Sequence, residues 1–446
     1  MVLNLILAAL ALLSLGILLW QFFVALRFPL HQRVADSGYA PPVTLLKPLK
    51  GVDAETWHCL ESWFNQDYAG PVQILFGVRS PDDPACEMAR QLIASRPECV
   101  AQLVNCSESL GLNAKVSTLI HLFRHTVQEP TPGPAQEGNA PSEGGVKLSS
   151  VGAVGGGLAA GSQPPVDQAR SNRDRVVIIS DADVHVPRDF LANVVPPLGD
   201  DRTGLVSCFY RLANPATLAM RWEAIAINAD FWSQVLQAQS LKPLDFALGA
   251  VMATTRQRLK SIGGFEALVE FLADDYQLGN LIVRQGRRIV LSPVVVECRE
   301  SPKNWLEVWR HQLRWARTIR VCQPLPYFFS ILSNATFWPL LWLIAAFPAA
   351  IGTSSTAAAG VAVVAISGDL LPLGLVLAIW LARTITAMWQ ESRLTRSHSH
   401  WAFFWLVPVK DLLAVVVWAL SFLGNSVEWR GRRYRVRRGG KLERVS

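Results

Sequence analysis

No two cysteines in this chain are spaced Cys-x-x-Cys. Cys59, Cys86, Cys99, Cys106, Cys208, Cys298 and Cys322 are odd in number and scattered, which argues against a disulfide framework or a cysteine zinc site and suits a reducing compartment. Residues 2–26 carry no charged side chain. They also lack a basic leading segment and a small-residue cleavage site, so a removable signal peptide does not fit. About 20 apolar residues cross a bilayer, and residues 1–28 are therefore expected to form one transmembrane helix. Arg27 and Arg33 follow directly, and by the positive-inside rule they place the next segment in the cytoplasm. The chain has 446 residues, 50% of them hydrophobic, which fits one soluble domain carrying a few spans.

The formal net charge is +7, and much of the positive charge lies in residues 430–438 of a basic tail, 425–446. Such a cluster beside an apolar segment points to an anionic membrane surface, and no nucleic-acid partner is expected. Apolar β-forming runs at 43–46 and 72–78 enclose a helical stretch at 55–65. This βαβ opening continues as strand–helix alternation and predicts an α/β domain over 41–300. Residues 128–173 interrupt it with Gly, Pro, Ser and Ala, the composition of a disordered insertion.

Ser301-Pro302 supplies an N-cap and first-turn pair for a helix over 301–322. That helix carries Trp305, Trp309, Leu313, Ala316 and Ile319 against Arg310, Arg314, Arg317 and Arg320. It either lies in the membrane interface or packs on the domain. Apolar segments at 324–351, 357–381 and 401–423 make a membrane region over 324–424. The last contains Lys410-Asp411, a costly pair inside a span. Three full crossings would leave the basic tail outside, against the positive-inside rule, and the sequence leaves the topology open.

The chemistry concentrates after the apolar run 176–179, in Ser180-Asp181-Ala182-Asp183-Val184-His185. A buried strand that ends in two carboxylates presents them at its C-terminal edge, where α/β folds bind ligands. Hard oxygen donors there suit Mg²⁺ or Mn²⁺ shared with a diphosphate. His185 is either a further ligand or a hydrogen-bonding structural histidine. Further polar groups follow in chain order: Asp82-Asp83 after the 72–78 strand, Asp274-Asp275, and His311-Gln312-Leu313-Arg314-Trp315.

Together with Leu45-Leu46-Lys47-Pro48-Leu49-Lys50-Gly51 and Gly111-Leu112-Asn113-Ala114-Lys115, these motifs resemble a membrane-bound, inverting family 2 glycosyltransferase of the ceramide glucosyltransferase branch. The resemblance covers 41–320 outside the insertion. It implies a GT-A (Rossmann-like nucleotide-diphospho-sugar transferase) domain plus transmembrane helices, a UDP-sugar donor, a divalent cation and a membrane lipid acceptor. Carried onto this chain, it implies metal contacts at Asp181, Asp183 and His185. Donor contacts would come from Lys47, Pro48, Asp82, Asp83, Asn113, Lys115, Asp181 and His311. Asp275 would be the general base, with Asp274, Arg314 and Trp315 beside it in the catalytic set. Capping of a helix near Tyr276 is the competing role for the Asp274-Asp275 pair. His311 stands where the family's box has Gln or Arg, which speaks for single-sugar transfer over a processive polysaccharide synthase. A non-catalytic sugar-nucleotide sensor is the alternative from another class.

Two stretches, 245–253 and 272–279, are most similar to the bacterial hopanoid-biosynthesis glycosyltransferases. That resemblance implies transfer of N-acetylglucosamine to bacteriohopanetetrol at the bacterial inner membrane, with the catalytic domain facing the cytoplasm.

Overall fold

The computed structural model describes residues 2–33, 38–126, 175–350, 371–429 and 432–444. The expected insertion at 128–173 lies outside the described residues, as do 357–370 of the second C-terminal apolar segment and Arg430 of the tail.

The catalytic-domain region is built on eight strands: β1 (Val43–Pro48), β2 (Val72–Val78), β3 (Val100–Asn105), β4 (Val176–Ser180), β5 (Val184–His185), β6 (Thr203–Leu212), β7 (Val251–Thr255) and β8 (Arg288–Cys298). Their order is β3-β2-β1-β4-β7-β6-β8-β5. The first four run parallel, and β7 lies antiparallel between β4 and β6. Every residue of β1 and β4 is buried, which is why both are unbroken runs of mainly apolar residues rather than alternating ones. The expected strands at 43–46, 72–78 and 176–179 are therefore present; the helix expected over 55–65 is confined to Thr56–Glu61. The strand order reverses between β1 and β4, the kind of point where a ligand crevice is expected at the carboxyl ends of the strands.

Two helices are long and apolar enough to cross a membrane, Val2–Arg27 and Leu371–Thr395. A third crossing exists if Pro324–Ser333 and Phe337–Ala346, bent by 52°, act as one span. Ala11 and Leu18 pack against Trp342, Val376 and Ile379, so these helices bundle. Arg393 donates to the Leu26 and Phe28 carbonyls at 2.8 and 2.6 Å, which ties the end of one span to the exit of another.

The last apolar segment forms Leu406–Ser421, a 16-residue helix that does not qualify as a span. Its charged pair is internally compensated. Arg383 binds Asp411 at 2.8 Å and Asp230 at 3.0 Å, and Lys410 also binds Asp230. Two acids and two bases, all at least nine-tenths buried, thus join the domain to two apolar helices.

The basic tail, expected to meet an anionic membrane surface, is a folded element. It folds into the antiparallel strands β9 (Ser426–Trp429), β10 (Arg432–Val436) and β11 (Leu442–Arg444). Leu442 N–H donates to Glu270 O at 2.7 Å, and Leu272 N–H donates to Gly440 O at 2.9 Å. Val427, Tyr434, Val436 and Leu442 bury against Leu272 and Val321. Apolar residues alternate with arginines along β10, and burying the apolar set on the domain holds the tail there. The tail strands and the α/β domain thus pack as one body.

Candidate active site

The chain turns at Ala182 and Asp183 immediately after β4. Lys47, on the neighbouring β1, fixes this turn from beneath. Its ammonium is fully buried and donates to Ser180 Oγ (3.2 Å), Asp181 O (2.5 Å) and Val184 O (3.4 Å). Burial pushes its pKa down to about 8. Lys47 and the buried Pro48, expected among the donor contacts, shape the strand end.

Above the turn, Lys115 joins two distant segments. Its Nζ lies 2.6 Å from Asp181 Oδ1 and 3.5 Å from Asp274 Oδ2. Burial disfavours its charge, but Asp181 and Asp274 outweigh burial and raise its pKa. Lys115 is placed by Asn113, the N-cap of helix Ala114–His125, whose side chain accepts from Lys115 N and Val116 N. Asn113 also donates to Phe271 O at 2.7 Å, which positions the loop before Asp274. Asn113, expected among the donor contacts, thus links the helix start to that loop.

Asp274 and Asp275 open helix Asp274–Arg284, whose N-cap is Ala273 without a side-chain cap bond. Asp275 accepts from Tyr276 N–H through Oδ1 at 2.7 Å. Its Oδ2 faces Gly249 so closely that a β-carbon there would sit 2.7 Å away. Burial, then the neighbouring Asp274, pushes Asp275 up to about 6. One oxygen is held by a helix amide, and the other faces Gly249.

Asp183 is pushed up to about 7 by burial and then by Asp181. No ion pair reaches it among the described residues. Two like charges at one strand end, one of them hard to ionise, are a donor set that a divalent cation would relieve. No group of three or more His, Cys, Asp or Glu side chains is assembled as a metal site among the described residues. His185, expected either as a further ligand or as a structural histidine, has protein partners for its ring. The turn at Ala182–Asp183 breaks the extended alternation, and the ring pairs with Glu297 at 3.7 Å and stacks on His58 at 4.5 Å.

Asp83 caps helix Pro84–Ala94 and also accepts from Gly51 N–H at 2.9 and 3.1 Å. It lines a cavity of about 350 Å³ together with Lys50, Arg79, Ser80 and Gly111. Tyr434 and Arg444 of the tail close the same cavity. Asp82 is exposed and outside that lining, so its expected donor contact is corrected.

Helix Trp305–Cys322 starts later than expected. Asn304, not Ser301, is the N-cap, and it forms a capping box with Glu307. Val308, Ala316 and Val321 bury on the protein while Trp305, Leu306 and Ile319 stay exposed, so the helix packs on the domain and still shows apolar side chains outward. Arg314 is depressed by burial, with Asp181, Glu223 and Asp275 acting oppositely through their charge, which places its guanidinium in the field of the acidic cluster. His311 is engaged elsewhere. Its Nδ1 is 2.6 Å from Glu223 Oε1, which also accepts from Gln312 at 2.9 Å. Trp315 packs at 4.4 Å on the His311 ring and against the cluster around Met220 and Trp222. His311, expected at the donor, and Trp315, expected in the catalytic set, thus pack on each other.

The sequence reading did not find Tyr434, Arg444 or Glu223. A period-two signal was present for the first pair, since buried Tyr434 and Val436 alternate with exposed Arg433 and Arg435. Glu223 carries no local signal; only the packing of two helices brings it to His311.

The profile of glycosyl transferase family 21 matches residues 6–129 and 166–442. The chain belongs to glycosyl transferase family 21. That number replaces the family 2 expected from the motifs, while the expected ceramide glucosyltransferase kinship holds. The family and the mixed sheet agree with the expected GT-A fold. Among curated relatives of this family 21 chain, ceramide glucosyltransferase 1 of Caenorhabditis elegans is 32% identical over 103 residues, 23% of this chain and 22% of the relative. The ceramide glucosyltransferase of Candida albicans is 43% identical over 83 residues, 18% of this chain and 15% of the relative. The matched segments thus span about a fifth of these relatives' length. Among solved structures, the mannosyltransferase PcManGT from Pyrobaculum calidifontis, in complex with GDP-Man and Mn²⁺, is 23% identical, covering 92% of this chain and 99% of its own, with a TM-score of 0.47.

Proposed function

We propose that this family 21 chain is an inverting glycosyltransferase that moves a sugar from a UDP-sugar to a membrane lipid alcohol. The observation that carries the reading is Lys115 joining Asp181 to Asp274, because it makes the end of β4 and the start of the Asp275 helix one site. Uridine and ribose occupy the cavity walled by Asp83, Tyr434 and Arg444, and the diphosphate extends toward Asp181. Asp181 and Asp183 would hold a divalent cation, Mg²⁺ or Mn²⁺, and its charge would offset that of the leaving diphosphate.

Asp275 is the general base. Its Oδ2 takes the proton of the acceptor hydroxyl as that oxygen attacks the anomeric carbon, and the bond to UDP breaks with its electron pair leaving on UDP. A carboxyl pushed up to about 6 is ionised at neutral pH yet more basic than an ordinary aspartate. Lys115 and Asp274 keep Asp275 aimed, and Arg314 adds positive charge near the diphosphate.

The acceptor enters from the bilayer beside helix Trp305–Cys322, with the catalytic domain on the cytoplasmic face of a bacterial inner membrane. Resemblance at 245–253 and 272–279 supports N-acetylglucosamine as the sugar and bacteriohopanetetrol as the lipid. The curated relatives' names support a second reading, UDP-glucose to ceramide. Incubation of the membrane-embedded protein with separate UDP-sugars and either lipid, followed by lipid mass spectrometry, separates the two. Absence of any glycosylated lipid with all donors would overturn the proposal.

A further inference from the structure

A second cavity, of about 250 Å³, lies between helix Trp305–Cys322 and the tail sheet. It holds the equivalent of roughly eight waters at ~30 Å³ each. Four arginines line it: Arg310, Arg314 and Arg317 from successive turns of one helix face, and Arg433 from β10. The one carboxylate in the lining is Glu428, which sits opposite Arg433 in the β9–β10 register. Arg317 spends one N–H on Ser426 O, and its buried Nε has no partner among the described residues. Four guanidinium groups facing one space with a single carboxylate leave an uncompensated positive field. Their planar forks match phosphate oxygens two at a time.

Exposed aliphatic residues stand near these arginines in the chain. Ile319, on the same helix, is 46% exposed, and Leu423, three residues before Ser426, is 78% exposed. Arginine beside exposed aliphatic side chains is the arrangement found where a protein meets lipid headgroups.

We propose that this four-arginine cavity is a binding site for the phosphate of an anionic membrane lipid, separate from the donor cavity. Only Arg314 is shared with the acidic cleft, so an occupied site would also order the helix that carries Arg314.

The test uses the full-length protein extracted in mild detergent, with retained phospholipid counted by native mass spectrometry after equilibration with equal phosphatidylglycerol and phosphatidylcholine. Wild type is expected to retain phosphatidylglycerol in at least fivefold preference. The double variant Arg310→Gln/Arg433→Gln is expected to lose that preference, and Glu428→Gln, which removes the carboxylate, to increase it. Because the two changes act in opposite directions, misfolding of the first does not remove the test. Inorganic phosphate at millimolar concentration, added in a parallel arm, should leave the retained lipid in place. Displacement by phosphate would assign the site to a soluble anion and overturn the lipid assignment. Equal retention of phosphatidylglycerol by wild type and all variants would overturn the site altogether.

Discussion

Replacing Asp275 by Asn should abolish turnover and stabilise the protein at the same time. The carboxyl ionises near 6 instead of 3.8 because it is buried beside Asp274. At 1.36 kcal/mol per pH unit, holding it ionised at neutral pH costs the folded state up to about 3 kcal/mol, and partial exposure brings the expectation to about 1–3 kcal/mol. The sign follows from the raised value. Below about pH 3 the group is protonated in folded and unfolded chains alike, and almost no penalty exists. As pH rises through 6 the folded chain must give up a proton it binds more tightly than the unfolded chain does, and the penalty becomes complete. Asn carries no charge at any pH. Melting curves in detergent with EDTA should therefore coincide at about pH 3, and the Asp275→Asn variant should melt higher at pH 7.5. Turnover should fall by about 10²–10⁴-fold, and wild-type kcat/KM should decline as pH drops through 6. A variant that melts lower than wild type at pH 7.5, or that retains turnover, would refute the assignment of Asp275 as a strained general base.

Gly249→Ala places a β-carbon 2.7 Å from Asp275 Oδ2 and must push that oxygen aside. It should lower kcat by about 10–100-fold while leaving donor KM nearly unchanged, as measured by initial-rate kinetics. Arg444→Ala and Tyr434→Ala remove tail walls of the donor cavity, and each should raise KM for the UDP-sugar by about 10-fold with little effect on acceptor KM. Arg383→Leu leaves Asp230 and Asp411 to share Lys410, which should cost about 3–5 kcal/mol and show as loss of monodisperse protein in size-exclusion chromatography. Removing the opposing charge as well, in Arg383→Leu/Asp411→Asn, should recover part of that loss.

The central strands were legible because a strand buried on both faces has to be an unbroken apolar run, and 176–179 is one. The carboxylates of Asp181, Asp274 and Asp275 were legible through their positions at element ends. What remained hidden depended on contacts between distant segments. His185 looked like a ligand only while 181–185 was taken as extended, and the turn at Ala182–Asp183 redirects it to Glu297. Asn113 and Lys47 looked like nucleotide contacts, but a cap and a buried turn clamp use up their polar atoms. Lys410-Asp411 looked disruptive inside an apolar segment until Arg383 and Asp230 supplied the opposite charges. The tail's arginines suggested a membrane contact; the alternate residues Tyr434 and Val436 bury on the domain and turn the same segment into a wall of the donor cavity.

The most direct test of the single-site account is a cryo-EM map of the protein in lipid discs with UDP and Mn²⁺. The account predicts metal density between the Asp181 and Asp183 carboxylates, with the nucleoside in the cavity of Asp83, Tyr434 and Arg444. UDP bound away from that cavity, or an ordered UDP with no metal at Asp181 and Asp183, would contradict it.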